Sequence, residues 1–163
     1  MAGSLEFIKS ATGSNVASVS VTDCFSAKYD VYMVSITKWN YVNSSVVAGM
    51  RFIDSGGSVI SDSEYDHANL QLRMYASFQE LRATGETNIN VGINSTGGNI
   101  ANQAGFTAYI FNPYDSSSYT FVNFQSAGQT ATPNLRGYKG IAVHKSAEQL
   151  SGFRLFNANA LRS

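Results

Sequence analysis

The sequence places three carboxylates at alternate positions, Asp62, Glu64 and Asp66, and this is its densest group of potential metal ligands. Carboxylate oxygens suit a hard cation such as Ca²⁺. The segment lacks the central glycine and the closing glutamate that an EF-hand loop requires. If the segment is a strand, alternate side chains share one face. The spacing therefore favours a solvated strand face, with a calcium site as the weaker interpretation.

The sequence contains two histidines, His67 and His144, and neither belongs to a recognisable catalytic pattern. Nucleophilic catalysis needs a nucleophile, a base within hydrogen-bond reach and a group that orients the base. We expect His144 at the end of a strand and His67 on a loop. There is no Gly-x-Ser-x-Gly motif, phosphate-binding glycine loop, zinc-ligand spacing or dinucleotide fingerprint. The sequence therefore predicts a protein that is not an enzyme and has no resident cofactor.

Trp39 and Tyr41 are aromatic residues that one strand face would carry together, with Asn40 between them. Exposed rings beside amide side chains can stack on sugar rings, so the pair is a candidate carbohydrate-binding platform. Aromatic rings are also enriched in cores and at subunit interfaces. The second interpretation is favoured, because a low charge content promotes association.

The composition indicates a single folded domain, residues 1–163, with no net charge. The chain has 163 residues, 44% of them hydrophobic, and its 11 basic side chains balance 11 acidic ones. Only 13% of the residues are charged, whereas about 25% is usual in soluble domains. The hydrophobic content excludes intrinsic disorder. The neutral balance argues against nucleic acid and against a polybasic membrane-binding patch.

The sequence shows no sign of export, membrane insertion or disulfide bonding. Cys24 is the only cysteine, so no intrachain disulfide can form. The first residues include Glu6 and Lys9 and lack the apolar segment of a secretory signal. No apolar run approaches the roughly 20 residues that span a bilayer. We expect a protein that is made in a cytosol.

Apolar and polar residues alternate along most of the chain, which is typical of β-strands with one buried face. Val31 through Thr37 is a clear example, and Thr120 through Phe124 is another. Asp54 to Ser58 predicts a hairpin turn, because paired glycines supply the positive φ that such turns need. Nine or ten short strands of this kind predict an all-β fold, an antiparallel β-sandwich with jelly-roll-like connections. The one helix signal is a single turn at Ser146 to Gln149.

Residues Ala83 to Gly105 stand apart, because they are small, polar and rich in Gly, Asn and Thr. A weak strand around Ile89 to Ile93, flanked by two long turns, is the expected structure. Such a segment is either an exposed recognition loop or a poorly packed edge region, and the second is favoured.

Six longer segments of the sequence, taken in order, carry a family resemblance. They are Ser4–Ser10, Ser20–Phe25, Asp54–Ser61, Ser63–Asp66, Phe111–Phe121 and Gly140–Glu148. In that order they resemble a family of small structural (virion) proteins of marine tailed bacteriophages. The resemblance spans nearly the whole chain, with Ala83 to Gly105 outside it. It implies a β-rich virion component present in many copies, and it supplies no catalytic residue.

One difference from the family concerns the C-terminus. Family members continue past the strand at Phe153 to Phe156 with another short strand, whereas this sequence stops at Ser163. If a strand is missing, a neighbouring subunit could complete the open sheet edge by strand addition.

Together these observations predict a non-enzymatic bacteriophage virion structural protein that is made in the bacterial host cytoplasm and located in the virion. A surface-exposed, homo-oligomeric capsid decoration protein is the first choice, with its own copies and other virion proteins as partners. The alternative is a tail or fibre adsorption module that binds a host-surface glycan, or a stand-alone carbohydrate-binding module.

Overall fold

The computed structural model describes residues 5–40, 46–95, 103–129 and 134–157, which form ten β-strands and no helix. The strands are β1 (Ser18–Val21), β2 (Val31–Trp39), β3 (Val46–Asp54), β4 (Tyr65–Arg73), β5 (Gln79–Glu86), β6 (Ile89–Ser95), β7 (Ala104–Phe111), β8 (Thr120–Gln129), β9 (Leu135–His144) and β10 (Leu150–Asn157). They lie in two sheets, and neighbouring strands are antiparallel. The predicted all-β antiparallel sandwich is confirmed.

The strand order brings distant parts of the chain together. The four-stranded sheet has the order β1-β10-β3-β6, and the six-stranded sheet has the order β2-β7-β8-β9-β4-β5. The chain therefore passes repeatedly from one sheet to the other. Crossings of this kind are what a jelly roll requires, and the jelly-roll topology itself stays a prediction. β6 contacts β8 and β9 of the opposite sheet, which closes the sandwich.

Alternating side chains of both sheets meet in the core between them. In β7, Phe106 and Ile110 are buried, whereas Thr107 and Tyr109 face solvent. Phe106 stacks on Phe124 of β8, with ring centroids 6.2 Å apart. Burial of one such apolar side chain contributes about 1.5–3 kcal/mol. The inner faces of the two sheets are therefore the main source of stability.

The predicted turn at Asp54 to Ser58 is a tight hairpin at the end of β3. Gly57 donates its N–H to the Asp54 carbonyl (3.1 Å) and has a φ of 86°. The Asp54 carboxylate accepts a further hydrogen bond from the Ser58 N–H (2.8 Å). On either side of the turn, Ile53 and Val59 pair through an isolated antiparallel β-bridge. Local turn chemistry is sufficient to define this reversal of the chain.

The expectation for Ala83 to Gly105 is wrong in its first part. β5 runs to Glu86, residues 87–88 alone separate it from β6, and β7 begins at Ala104. β5 is an edge strand of the six-stranded sheet, so most of its side chains are exposed and polar residues fit there. The weak strand expected at Ile89 to Ile93 is present as β6. Residues 96–102 lie outside the described part of the chain.

Two smaller predictions are also wrong. Residues Ser146 to Gln149 form no helical turn, because they are an irregular connection between β9 and β10. His67 does not lie on a loop, because β4 already begins at Tyr65. His144 ends β9, as expected. Within the described ranges there is no helix that could cross a membrane.

Candidate functional site

The outer surface of the six-stranded sheet carries a concentration of exposed apolar side chains. We call this surface the outer apolar face, and it consists of Val31, Met33, Leu70, Tyr109, Phe121 and Ile141. These side chains are between 37% and 60% exposed. Each belongs to a strand whose alternate residues enter the core, so strand geometry alone directs it outward.

The strand register brings these residues side by side. Met33 of β2 pairs with Tyr109 of β7, and Tyr109 pairs with Asn123 of β8. Asn123 in turn pairs with Ile141 of β9. Phe121 lies on the same face of β8 as Asn123. The face is therefore continuous across four neighbouring strands.

Two adjoining depressions lie on this surface, with volumes of about 780 Å³ and 730 Å³. They share Ala68, Arg82, Asn123 and Ile141 among their lining residues. Lys139 also lines the larger one. Apolar side chains interspersed with a few polar groups suit either a partner surface or a small organic ligand.

The segment before β1 is a second surface with exposed apolar residues, and we call residues 5–17 the N-terminal arm. Leu5 is 83% exposed and Phe7 is 79% exposed. Between them, Glu6 accepts hydrogen bonds from Lys28 (2.7 Å) and from the Tyr29 hydroxyl. The hydrogen bond from Lys28 and that from Tyr29 lower the pKa of Glu6. The arm is thus attached through a polar side chain, and its apolar side chains point to solvent.

His144 is the centre of a third feature, at one end of the sandwich. Its side chain is fully buried, and its ring lies 5.0 Å from Tyr65 and 5.8 Å from Phe52, measured between ring centroids. Its Nε2 lies 3.1 Å from Glu64 Oε2 and 3.6 Å from Glu148 Oε1. Glu64 precedes β4, and Glu148 belongs to the connection between β9 and β10. We call these three residues the His144 cluster.

The three carboxylates singled out in the sequence do not form one cluster within the described residues. Asp66 Oδ1 lies 2.8 Å from Lys145 Nζ and accepts a hydrogen bond from the Gly85 N–H (2.8 Å). These contacts, with Lys145 first, hold the pKa of Asp66 below its ordinary value. Asp62 is exposed, and Glu64 faces His144. Of the three, Glu64 alone belongs to a group that could hold a metal ion within the described residues.

Sequence reasoning missed the His144 cluster because its members are far apart in the chain. Glu64 and His144 are 80 residues apart. The pairing of Tyr65 with His144 in the β4–β9 ladder brings them together. The only local signal was the spacing of His144 and Glu148, four residues apart.

Of the two aromatic residues proposed for sugar binding, the structure describes Trp39 alone. Trp39 ends β2, is partly buried and packs against the hydrophobic core. Tyr41 lies outside the described residues. The position of Trp39 corresponds to the core interpretation, and a sugar-binding role for the pair stays a prediction.

Cys24 is the single cysteine of the sequence. It is buried, and this burial raises the pKa of its thiol to about 11. The thiolate is the reactive form of cysteine. Cys24 is therefore protonated near neutral pH, and its thiol packs as a small apolar group.

Comparison with known proteins gives no assignment: no protein-family model matches the chain, and no curated protein or solved structure matches it either. The resemblance to phage virion proteins stays a prediction.

Proposed function

We propose that the protein is a non-enzymatic structural subunit of a bacteriophage virion, and specifically a homo-oligomeric capsid decoration protein. The observation that carries the proposal is the outer apolar face, which presents six large apolar side chains on one sheet surface. The sequence resemblance supports the placement in a virion, where a β-rich component would be present in many copies.

Exposure of large apolar side chains to water is unfavourable, and assembly removes that surface from water. Burial of apolar area contributes about 25 cal/mol per Å², and large contiguous apolar patches on soluble proteins mark interaction sites. The chain has 11 basic and 11 acidic side chains, so identical copies do not repel each other through net charge. The outer apolar face can meet the same face of another copy in a symmetric interface.

Sedimentation velocity at micromolar concentration tests the assembly, with Ile141→Lys as the disrupting variant. Ile141 is 60% exposed, so we expect the variant to fold but to sediment as a monomer, whereas the wild-type chain sediments as an oligomer. Tyr119→Lys is the matched control, because Tyr119 is 47% exposed but belongs to the connection before β8 and is not one of the six residues of this face. A wild-type chain that is monomeric at every concentration would contradict the proposal.

Gold-labelled antibody on intact purified particles tests the position in the virion. Label over the head supports capsid decoration, and label at the tail supports an adsorption module. Mass spectrometry of the same particles provides the control for a buried component. If the chain is absent from the particles, the virion assignment is wrong.

A second candidate function, adsorption to a host-surface glycan, is favoured by one part of the outer face. Tyr109 is 46% exposed, and its neighbour Asn123 offers an amide beside the ring. Stacking on an aromatic ring combined with amide hydrogen bonds is a common arrangement for a polar ring-shaped ligand. We expect Tyr109→Ala to abolish binding to host polysaccharide, with Tyr119→Ala as the control. Equal binding by both variants would exclude this use of the face.

A further inference from the structure

We propose that the His144 cluster, formed by Glu64, His144 and Glu148, is a binding site for a divalent transition-metal ion of the zinc class. The proposal does not depend on the virion assignment. It rests on the distances between the three ligand atoms, on the way His144 is held, and on the parts of the fold that the cluster joins.

The distances between ligand atoms fit a shared ion. Zinc binds histidine nitrogen and carboxylate oxygen at about 2.0–2.2 Å. Two ligand atoms on one such ion are then about 2.9–3.6 Å apart for angles between a right angle and a trigonal one. His144 Nε2 lies 3.1 Å from Glu64 Oε2 and 3.6 Å from Glu148 Oε1. All three ligand atoms lie within 4.8 Å of one another, so small side-chain rotations bring both carboxylates onto one ion.

His144 is rigidly placed for this role. Its side chain is fully buried against the rings of Tyr65 and Phe52, and its Nε2 is directed at the two carboxylates. Its Nδ1 has no hydrogen-bond partner in the described part of the chain. Ring packing therefore fixes the direction of Nε2, in place of the hydrogen bond that usually orients a ligating histidine.

The donor set selects the class of ion. One imidazole nitrogen with two carboxylate oxygens suits borderline ions such as Zn²⁺, whereas Ca²⁺ takes a larger number of oxygen ligands. Two carboxylates also balance the charge of a divalent ion when the imidazole is neutral. Asp66 does not join the set, because its carboxylate is paired with Lys145.

A bound ion would connect the two sheets at this end of the sandwich. Glu64 leads into β4 of the six-stranded sheet, and Glu148 leads into β10 of the four-stranded sheet. The Lys145 N–H already donates to the Glu64 carbonyl (2.8 Å). An ion that binds the folded state alone stabilises it in proportion to the logarithm of the free ion concentration. The consequence is a sandwich whose stability depends on metal.

Titration of the chelator-treated full chain with Zn²⁺ tests the proposal, by calorimetry and by thermal unfolding. We expect saturable binding of one ion per chain and a rise in Tm, with Ca²⁺ giving neither. Glu148→Gln should weaken Zn²⁺ binding by more than about tenfold, since it removes one of three ligands. Glu80→Gln and His67→Asn are the controls, because they remove an exposed carboxylate and the other histidine outside the cluster.

Nuclear magnetic resonance on the wild-type chain provides a readout that does not depend on a variant that folds. Zn²⁺ should shift the ring resonances of His144 and leave those of His67 in place. The proposal is overturned if Zn²⁺ leaves the His144 resonances unchanged, or if Glu148→Gln binds Zn²⁺ as tightly as the wild-type chain. In either case the cluster is a hydrogen-bonded group without a metal.

Discussion

Tyr65 is a buried residue whose single hydroxyl joins three parts of the fold. It accepts a hydrogen bond from the Phe52 N–H (3.1 Å) and donates one to the Ile60 carbonyl (3.1 Å). Its ring stacks on Phe52, and burial raises the pKa of its hydroxyl. The hydroxyl thus holds the segment after the Asp54 hairpin against β3 and β4.

We predict that Tyr65→Phe destabilises the protein by about 1–3 kcal/mol, because it leaves a buried N–H and a buried carbonyl without a partner. Urea unfolding measures the change. Tyr109→Phe is the control, because Tyr109 is 46% exposed and its hydroxyl has access to water. If both substitutions cost the same, the bridging hydroxyl of Tyr65 has no special role.

His67 makes stability depend on pH near neutrality. Burial holds the pKa of His67 below its ordinary value, and the nearby charges of Glu86 and Asp66 oppose this effect only in part. Its Nδ1 has no hydrogen-bond partner within the described ranges. The folded state therefore takes up a proton less readily than the unfolded chain.

We predict that stability falls as the pH drops below about 6.5, the ordinary histidine value, because the unfolded state then binds the extra proton. The loss of stability caused by His67 is complete once the pH lies below the pKa that His67 has in the folded state. His67→Gln should flatten the pH dependence in this window, as measured by urea unfolding at a series of pH values. Parallel curves for the two proteins would contradict the prediction.

β6 depends on one glycine for its close packing against the opposite sheet. Gly92 has a φ of 63°, and a Cβ atom there would lie 2.2 Å from the Tyr138 ring of β9. Its carbonyl accepts a hydrogen bond from the Ser126 hydroxyl of β8 (2.9 Å). A close approach and a left-handed backbone thus coincide at one residue, where the two sheets meet.

We predict that Gly92→Ala lowers the free energy of unfolding by about 3 kcal/mol or more. The new methyl group crowds the Tyr138 ring, and alanine is also strained in a left-handed backbone conformation. Gly57→Ala is the matched control, since Gly57 has a φ of 86° with no atom within 4 Å of the added Cβ. We expect Gly57→Ala to lower the free energy of unfolding by about 1–2 kcal/mol, because only the backbone strain applies there. Thermal unfolding measures both, and equal costs would show that Tyr138 yields to the new methyl group.

At the scale of the whole molecule, the N-terminal arm and the outer apolar face both leave large apolar side chains in water. Phe7 is 79% exposed, yet the adjacent Glu6 is bound to Lys28. Aromatic side chains are enriched at subunit interfaces. The proposed assembly gives the arm a partner, namely the surface of a neighbouring copy.

We predict that Phe7→Ser leaves the unfolding of the dilute chain within about 0.5 kcal/mol of wild type but weakens self-association. Sedimentation velocity across a concentration series measures the association, with Tyr119→Ser as the exposed aromatic control. Unchanged association in the Phe7 variant would restrict the interface to the outer apolar face.

The local properties of this protein follow from its sequence alone. Alternation predicted β2 and β8, and the Asp54 turn followed from its own glycines, because strand periodicity and turn chemistry depend on near neighbours. β5 was not predicted, because an edge strand needs no regular alternation of apolar residues. The candidate calcium residues were also chosen by near spacing, and of the three only Glu64 belongs to a group of potential metal ligands within the described residues.

Features that depend on pairing between distant strands arise only when the chain is folded. The outer apolar face exists because β7, β8 and β9 lie in register, and the His144 cluster exists because β4 pairs with β9. Alternation predicts that every second residue of a strand lies on the same face. It does not predict whether that face packs in the core or against another subunit. Strand order and register result from the packing of the whole chain, so only the folded molecule shows which residues become neighbours.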